Sequence, residues 1–249
     1  MSSDILKLDG NKLTGAKKGS AVATFNMGDD VQTSAVIRVG GDTTSLVCPP
    51  DITIETNDKT IEDGFSFAVY GNTIKKNSLV ERLVAKRLAG TLNKSELDTV
   101  LFLSDTSYIP NGFDKTVLSS SEYMIKNFGD TTIITMDNKK SPKWEELISA
   151  LKSSSSKNIF IALSETINDD GGYYEEMLID IMQKHLKNKN VYVLSPDGDL
   201  AIYDTGIKHI QTPGAESIKD ISVVADHIGY LKITVLGDKF NIERVKIFE

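Results

Sequence analysis

Residues 65–73, FSFAVYGNT, and residues 99–108, TVLFLSDTSY, decide the reading of this chain. Each is a short apolar run, rich in Val, Phe and Leu, that stops at small polar residues. A run that is apolar on both faces predicts an internal strand of a covered sheet. Between them, residues 78–92, SLVERLVAKRLAGTL, place apolar side chains at 79, 80, 83, 84 and 88, which is helical spacing. Strand, helix, strand predicts a right-handed crossover between parallel neighbours. Ligands of such open sheets collect beyond the carboxyl ends of the strands. Asn72 and Asp105 fall at those two ends and are the first candidate site residues.

Downstream the alternation continues. A Gly- and Pro-containing loop, Pro110 to Thr116, precedes an expected helix around Ser119 to Asn127. TTIITM, residues 131–136, predicts a β-branched strand that ends at Asp137-Asn138-Lys139-Lys140. A helix follows, with Ser141 as N-cap, Pro142 at its first position, and Glu145 and Glu146 at the positive end of its dipole. Asn158 to Leu163 is a buried strand, Tyr173 to Leu186 an amphipathic helix, and Val191 to Leu194 a strand that runs into Ser195-Pro196-Asp197-Gly198-Asp199. β texture then takes over in 200–203, 207–212, 230–236 and 240–248, with Gly237-Asp238 as a hairpin turn. The expectation is an α/β core with an antiparallel ending.

The front of the chain differs. Residues 1–47 hold short β-prone pieces separated by turn signals, with no helical period. Residues 48–64, with Pro49-Pro50 and the polar run 56–64, predict a linker, and Ile52 to Ile54 an edge strand within it. Residues 65–249 form the main domain.

Composition excludes several classes. A net charge of −7 offers no basic field to displace counterions from phosphates, so no nucleic-acid partner is expected. No apolar stretch approaches the roughly 20 residues that span a bilayer. Met1-Ser2-Ser3-Asp4 has neither the basic nor the apolar region of a signal peptide. The single cysteine, Cys48, excludes an internal disulfide and a multi-cysteine metal site.

Two resemblances add to this. The run LKLDGNKLTGAKKGSAVATF and the VIRV strand after it resemble the C-terminal half of a bacterial immunoglobulin-like (Big-type) module. That resemblance implies a surface or secreted protein, longer than this chain, with neighbouring modules as partners. From 65 to 249 the order of strand-end loops resembles the calcineurin-like metallophosphoesterases, in particular the purple acid phosphatases. That family carries GD, GDxxY, GNH, a lone His and GHxH in turn. The matching positions here read Tyr70-Gly71-Asn72, Ser104-Asp105 to Tyr108, Asp137-Asn138-Lys139, Leu163-Ser164-Glu165 and Asp197-Gly198-Asp199. The resemblance implies a layered αββα-type fold with antiparallel C-terminal strands and a small N-terminal β segment. It also implies that Asn72, Asp105, Tyr108, Asn138, Asp197 and Asp199 stand at vestigial metal positions.

The motifs are damaged. A two-metal hydrolase holds its cations about 3.5–4 Å apart, and the family uses several imidazoles to do so. This chain has three histidines, His185, His209 and His227, none on a motif position. Lys139 puts an ammonium where a neutral acid–base group belongs, and Asp197 and Asp199 replace the His-x-His pair. Oxygen in place of imidazole favours Mg²⁺ or Ca²⁺ over Zn or Fe, if any cation is held at all.

Three readings follow. One is a non-catalytic domain that binds a glycan or phosphorylated ligand, or supports a neighbouring module, without a resident cofactor. Another is a working phosphoesterase with an oxygen-rich site on Asp105, Asn138, Asp197 and Asp199, in which Lys139 is a further catalytic candidate. The last is an unrelated α/β binding module. Strand-end aspartates also commonly cap elements or accept loop amides, which is the bland role for Asp105 and Asp199. Lys139 is expected to pair with Asp105 or Asp137, replacing a lost metal's charge.

Overall fold

The computed structural model describes residues 4–10, 12–26, 32–40, 64–71, 79–103, 113–140, 142–165, 189–196, 201–204, 208–212, 214, 228–237 and 239–248. The front of the chain gives β1 (Leu6–Asp9), β2 (Lys12–Gly15), β3 (Gly19–Asn26) and β4 (Gln32–Val39). Next come β5 (Phe65–Tyr70), α1 (Leu79–Lys94), β6 (Thr99–Phe102), β7 (Thr116–Ser119), β8 (Met124–Phe128) and β9 (Thr131–Met136). They are followed by α2 (Trp144–Ser153), β10 (Asn158–Leu163), β11 (Asn190–Pro196), β12 (Ala201–Asp204), β13 (Lys208–Thr212), β14 (Gly229–Leu236) and β15 (Lys239–Lys246). This is a mixed α/β protein with several sheets and, among the described residues, few helices.

Two sheets form the body. One runs β15-β14-β5-β6-β7, the other β12-β13-β11-β10-β9-β8. The 65–73 and 99–108 runs supply adjacent parallel strands, Phe67 opposite Thr99 and Tyr70 opposite Phe102. In the second sheet β9, β10, β11 and β13 are mutually parallel, with β12 and β8 antiparallel at the edges. The ending is antiparallel at β14–β15, where Leu236 pairs with Lys239 and Gly237 sits at φ 59°.

Side-chain alternation explains the packing. Phe67, Val69, Leu101 and Leu118 from the first sheet join Ile133, Phe160, Tyr192, Leu194 and Ile210 from the second in one core cluster. The opposite face of the first sheet, Ala68, Tyr70, Val100 and Phe102, packs with Val84, Leu88 and Leu92 of α1. The opposite face of the second sheet, Ile134, Met136, Ile159 and Ile161, packs with Trp144, Leu147 and Leu151 of α2. Both faces of each strand are thus used, which is why β5, β6, β9 and β10 read as continuous apolar runs. α2 also touches the β3–β4 ribbon, and Val22 reaches its cluster. Lys189 Nζ caps α2 by donating to the Leu151 and Ser154 carbonyls, each at 2.6 Å.

Three expectations change. Residues 119–127 are not helical: β7 ends at Ser119 and β8 runs back along β9, Phe128 facing Thr131 across Gly129-Asp130. Gly129 sits at φ 58°, which a side-chain-bearing residue rarely adopts, so this Gly-Asp pair is a hairpin turn. The helix after β9 starts at Trp144 with Lys143 at the N-cap position and no side-chain cap, later than the Ser-Pro signal suggests. Residues 208–212 are antiparallel to β12 on one side, as the ending suggests, but β13 also joins the parallel set through β11. The linker residues 48–63 with Cys48 and Ile52–Ile54, Ser141, the expected helix 173–186, His185 and His227 lie outside the described residues.

The β7–β8 connection carries Tyr123, whose phenol is pushed up to about 12 by burial first and by Glu146 second. A raised phenol pKa costs nothing while the ring is protonated. Its contribution is complete below pH 10 and is lost as pH rises towards 12. Tyrosinate absorbance should therefore show a phenol that ionises about two units late, missing from Tyr123→Phe. A titration identical in the two proteins would refute the assignment.

Candidate functional site

Both parallel sets of strands end at one edge of the molecule. At the opposite edge, Phe65, the first residue of β5, stacks on Phe128, which pairs with the first residue of β9; the ring centroids are 4.4 Å apart. There too, Asn158 Nδ2 at the start of β10 donates to the Gly237 carbonyl at 2.8 Å, beside the β14 residue Val235 that pairs with Phe65. The strands of the two sheets therefore start together and finish together. The finishing edge gathers the ends of β5, β6, β9, β10 and β11.

Asn138, Lys139, Ser164 and Glu165 meet on this edge. The Asp137 carboxylate is buried, and its Oδ1 accepts from the Lys139 amide at 3.0 Å, the Lys140 amide at 2.8 Å and Ser164 Oγ at 3.1 Å. That is an Asp folding its own loop, the role open to any strand-end carboxylate. Asn138 clamps the next loop: its Oδ1 accepts from the Glu165 amide at 2.9 Å and shares the single Ser164 hydroxyl hydrogen with Asp137, Oγ lying 3.1 Å from each acceptor, and its Nδ2 donates to the Glu165 carbonyl at 3.2 Å. Lys139 Nζ lies 3.2 Å from Glu165 Oε1. Of the two expected partners of Lys139, Asp105 lies outside the described residues, and Asp137 receives the Lys139 backbone amide and not its ammonium. Glu165 takes the ammonium instead. Both groups are well exposed, so the pair adds little stability.

Asn72, Asp105, Tyr108, Asp197 and Asp199 lie outside the described residues. The strands that lead to them, β5, β6 and β11, do end on this edge. Asn138 Oδ1 takes the Glu165 amide on one side and on the other faces the Ser164 hydroxyl, whose single hydrogen lies equally near Asp137. In this arrangement the Asn138 oxygen is turned to the 164–165 loop. Among the described residues no group of three or more His, Cys, Asp or Glu is arranged to hold a metal.

Sequence places His209 in a strand but does not give its partner. Its Nε2 lies 2.7 Å from Ser195 Oγ, joining β13 to β11, and both side chains are buried. The parallel β11–β13 pairing brings them together, a neighbour relation that sequence spacing does not reveal.

No family model matches the sequence, and no curated protein matches it. Among solved structures, a single mutant of Vps29 from Entamoeba histolytica is similar at 12% identity and a TM-score of 0.37, covering 73% of this chain and 99% of that one. At that score the likeness carries no argument about site or activity. What stands is a mixed α/β protein with parallel strands ending on a common rim.

Proposed function

We propose that this chain is a phosphoesterase-like domain, layered as helix, sheet, sheet, helix, whose rim serves binding or support in a longer protein and does not hydrolyse phosphoesters. The observation that carries this is Asn138. The oxygen that the resemblance assigns to a metal is turned to its own loops, accepting from the Glu165 amide and facing the Ser164 hydroxyl. Lys139 supports the same reading, since its ammonium is paired with Glu165 in place of an imidazole. Loops that lock through their own side chains keep a rim in shape without a cation to organise it.

The test is hydrolysis of p-nitrophenyl phosphate and bis-p-nitrophenyl phosphate with Mg²⁺, Mn²⁺ or Ca²⁺ added, alongside elemental analysis. Background rates and no stoichiometric transition metal are expected. Metal-dependent turnover abolished by Asp105→Ala would overturn the proposal, as would about two transition metals per purified chain.

A further inference from the structure

We propose that the outward face of α1 is a docking surface for an acidic amphipathic helix of a partner protein. The inward face of α1 is committed to the sheet through Val84, Ala85, Leu88 and Leu92. The outward face shows Leu79, Arg82, Leu83, Lys86, Arg87, Gly90 and Lys94, all exposed. Leu79 and Leu83 stand one turn apart and are 78% and 59% exposed, two of the few large apolar side chains left open to water. Arg82, Lys86 and Lys94 make no ion pair or hydrogen bond among the described residues. Arg87 Nε donates to the Ile247 carbonyl at 3.0 Å, which fixes its guanidinium against the body.

Charge decides the occupant. In a chain of net charge −7, α1 turns outward four cations and no anion. Such segregation leaves Arg82, Lys86 and Lys94 without a partner among the described residues and makes the face complementary to carboxylates. The leucines then select protein over nucleic acid, because phosphates offer them nothing to pack against. They select protein over a bilayer as well, because the apolar residues occupy only the first turns and the rest of the face is charged. Gly90 fits this. A β-carbon there would meet nothing within 4 Å, so internal packing does not require glycine despite its helical cost of about 1 kcal/mol. Gly90 stands one turn from Lys86 and one from Lys94 on the same face, with open space above it. This inference is independent of the rim.

The probe is a labelled amphipathic helical peptide of Glu and Leu, with a Lys/Leu counterpart, followed by fluorescence anisotropy on the full chain. The Glu/Leu peptide should bind, and bind more weakly as salt rises; the Lys/Leu peptide should not bind. Arg82→Glu with Lys86→Glu, and separately Leu79→Ser with Leu83→Ser, should each weaken binding about tenfold or more. Melting should stay unchanged, since all four side chains are exposed. Absent binding, or binding indifferent to both double variants, would overturn the proposal. So would sedimentation with phosphatidylserine vesicles that the same variants abolish, which would make the face a membrane contact.

Discussion

Replacing Phe160 by alanine is expected to destabilise the protein by about 3–5 kcal/mol, a large share of the roughly 5–15 kcal/mol that holds a typical domain folded. Its ring is fully buried between the two sheets. It meets Phe67 of the first sheet edge-on at 5.0 Å, stacks on Tyr192 of its own sheet at 4.7 Å, and lies 6.0 Å from Phe240 of β15. Removing it opens a cavity walled by both sheets, which cannot close without moving one against the other. The urea midpoint should fall with the slope unchanged. A loss below about 1 kcal/mol would mean that the sheets do not share this core.

The second large effect concerns Asp137. Asp137→Ala strands the Lys139 and Lys140 backbone amides that now share one oxygen, at an expected cost of about 3 kcal/mol, while the Ser164 hydroxyl keeps Asn138 Oδ1. Asp137→Asn keeps an acceptor in place and should lose markedly less. Amide exchange at Lys139 and Lys140 should accelerate in the alanine variant and stay near wild type in the asparagine one. The competing role predicts the opposite sign. A carboxylate retained for a cation repels its acidic neighbours when the cation is removed, so its loss would stabilise the protein in EDTA. A gain in stability for Asp137→Ala under those conditions would end the loop-locking account.

Much of the fold was legible because burial on both faces writes continuous apolar runs. FSFAVY, TTIITM and NIFIAL each announce a covered strand, and the Trp144, Leu147, Leu151 stripe announces a helix that faces one. The miss at residues 119–127 has a specific cause. The same Gly-Asp dipeptide occurs in sequence at 129–130 and at 237–238, yet only the second lies between runs that read clearly as strands. β8 is an edge strand with Ile125, Lys126 and Asn127 exposed, and one free edge writes no clean alternation. At the rim, position was legible and partnership was not. Strand ends located Asn138, Lys139 and Ser164. Which of Asp137 and Glu165 takes the ammonium depends on how adjacent loops turn, and spacing along the chain does not encode that.

The first sheet also constrains how the chain can fold. β5 lies between β6, its near neighbour in sequence, and β14, which is made long afterwards. Until residues 229–246 are synthesised, β5 has one unpaired edge whose backbone amides and carbonyls are open to any passing strand. The second sheet can assemble meanwhile, since β8 to β13 are contiguous in sequence. Folding on the ribosome is therefore expected to be sequential, with an aggregation-prone interval that ends only when β14 arrives, and late pairings of this kind are intrinsically slow.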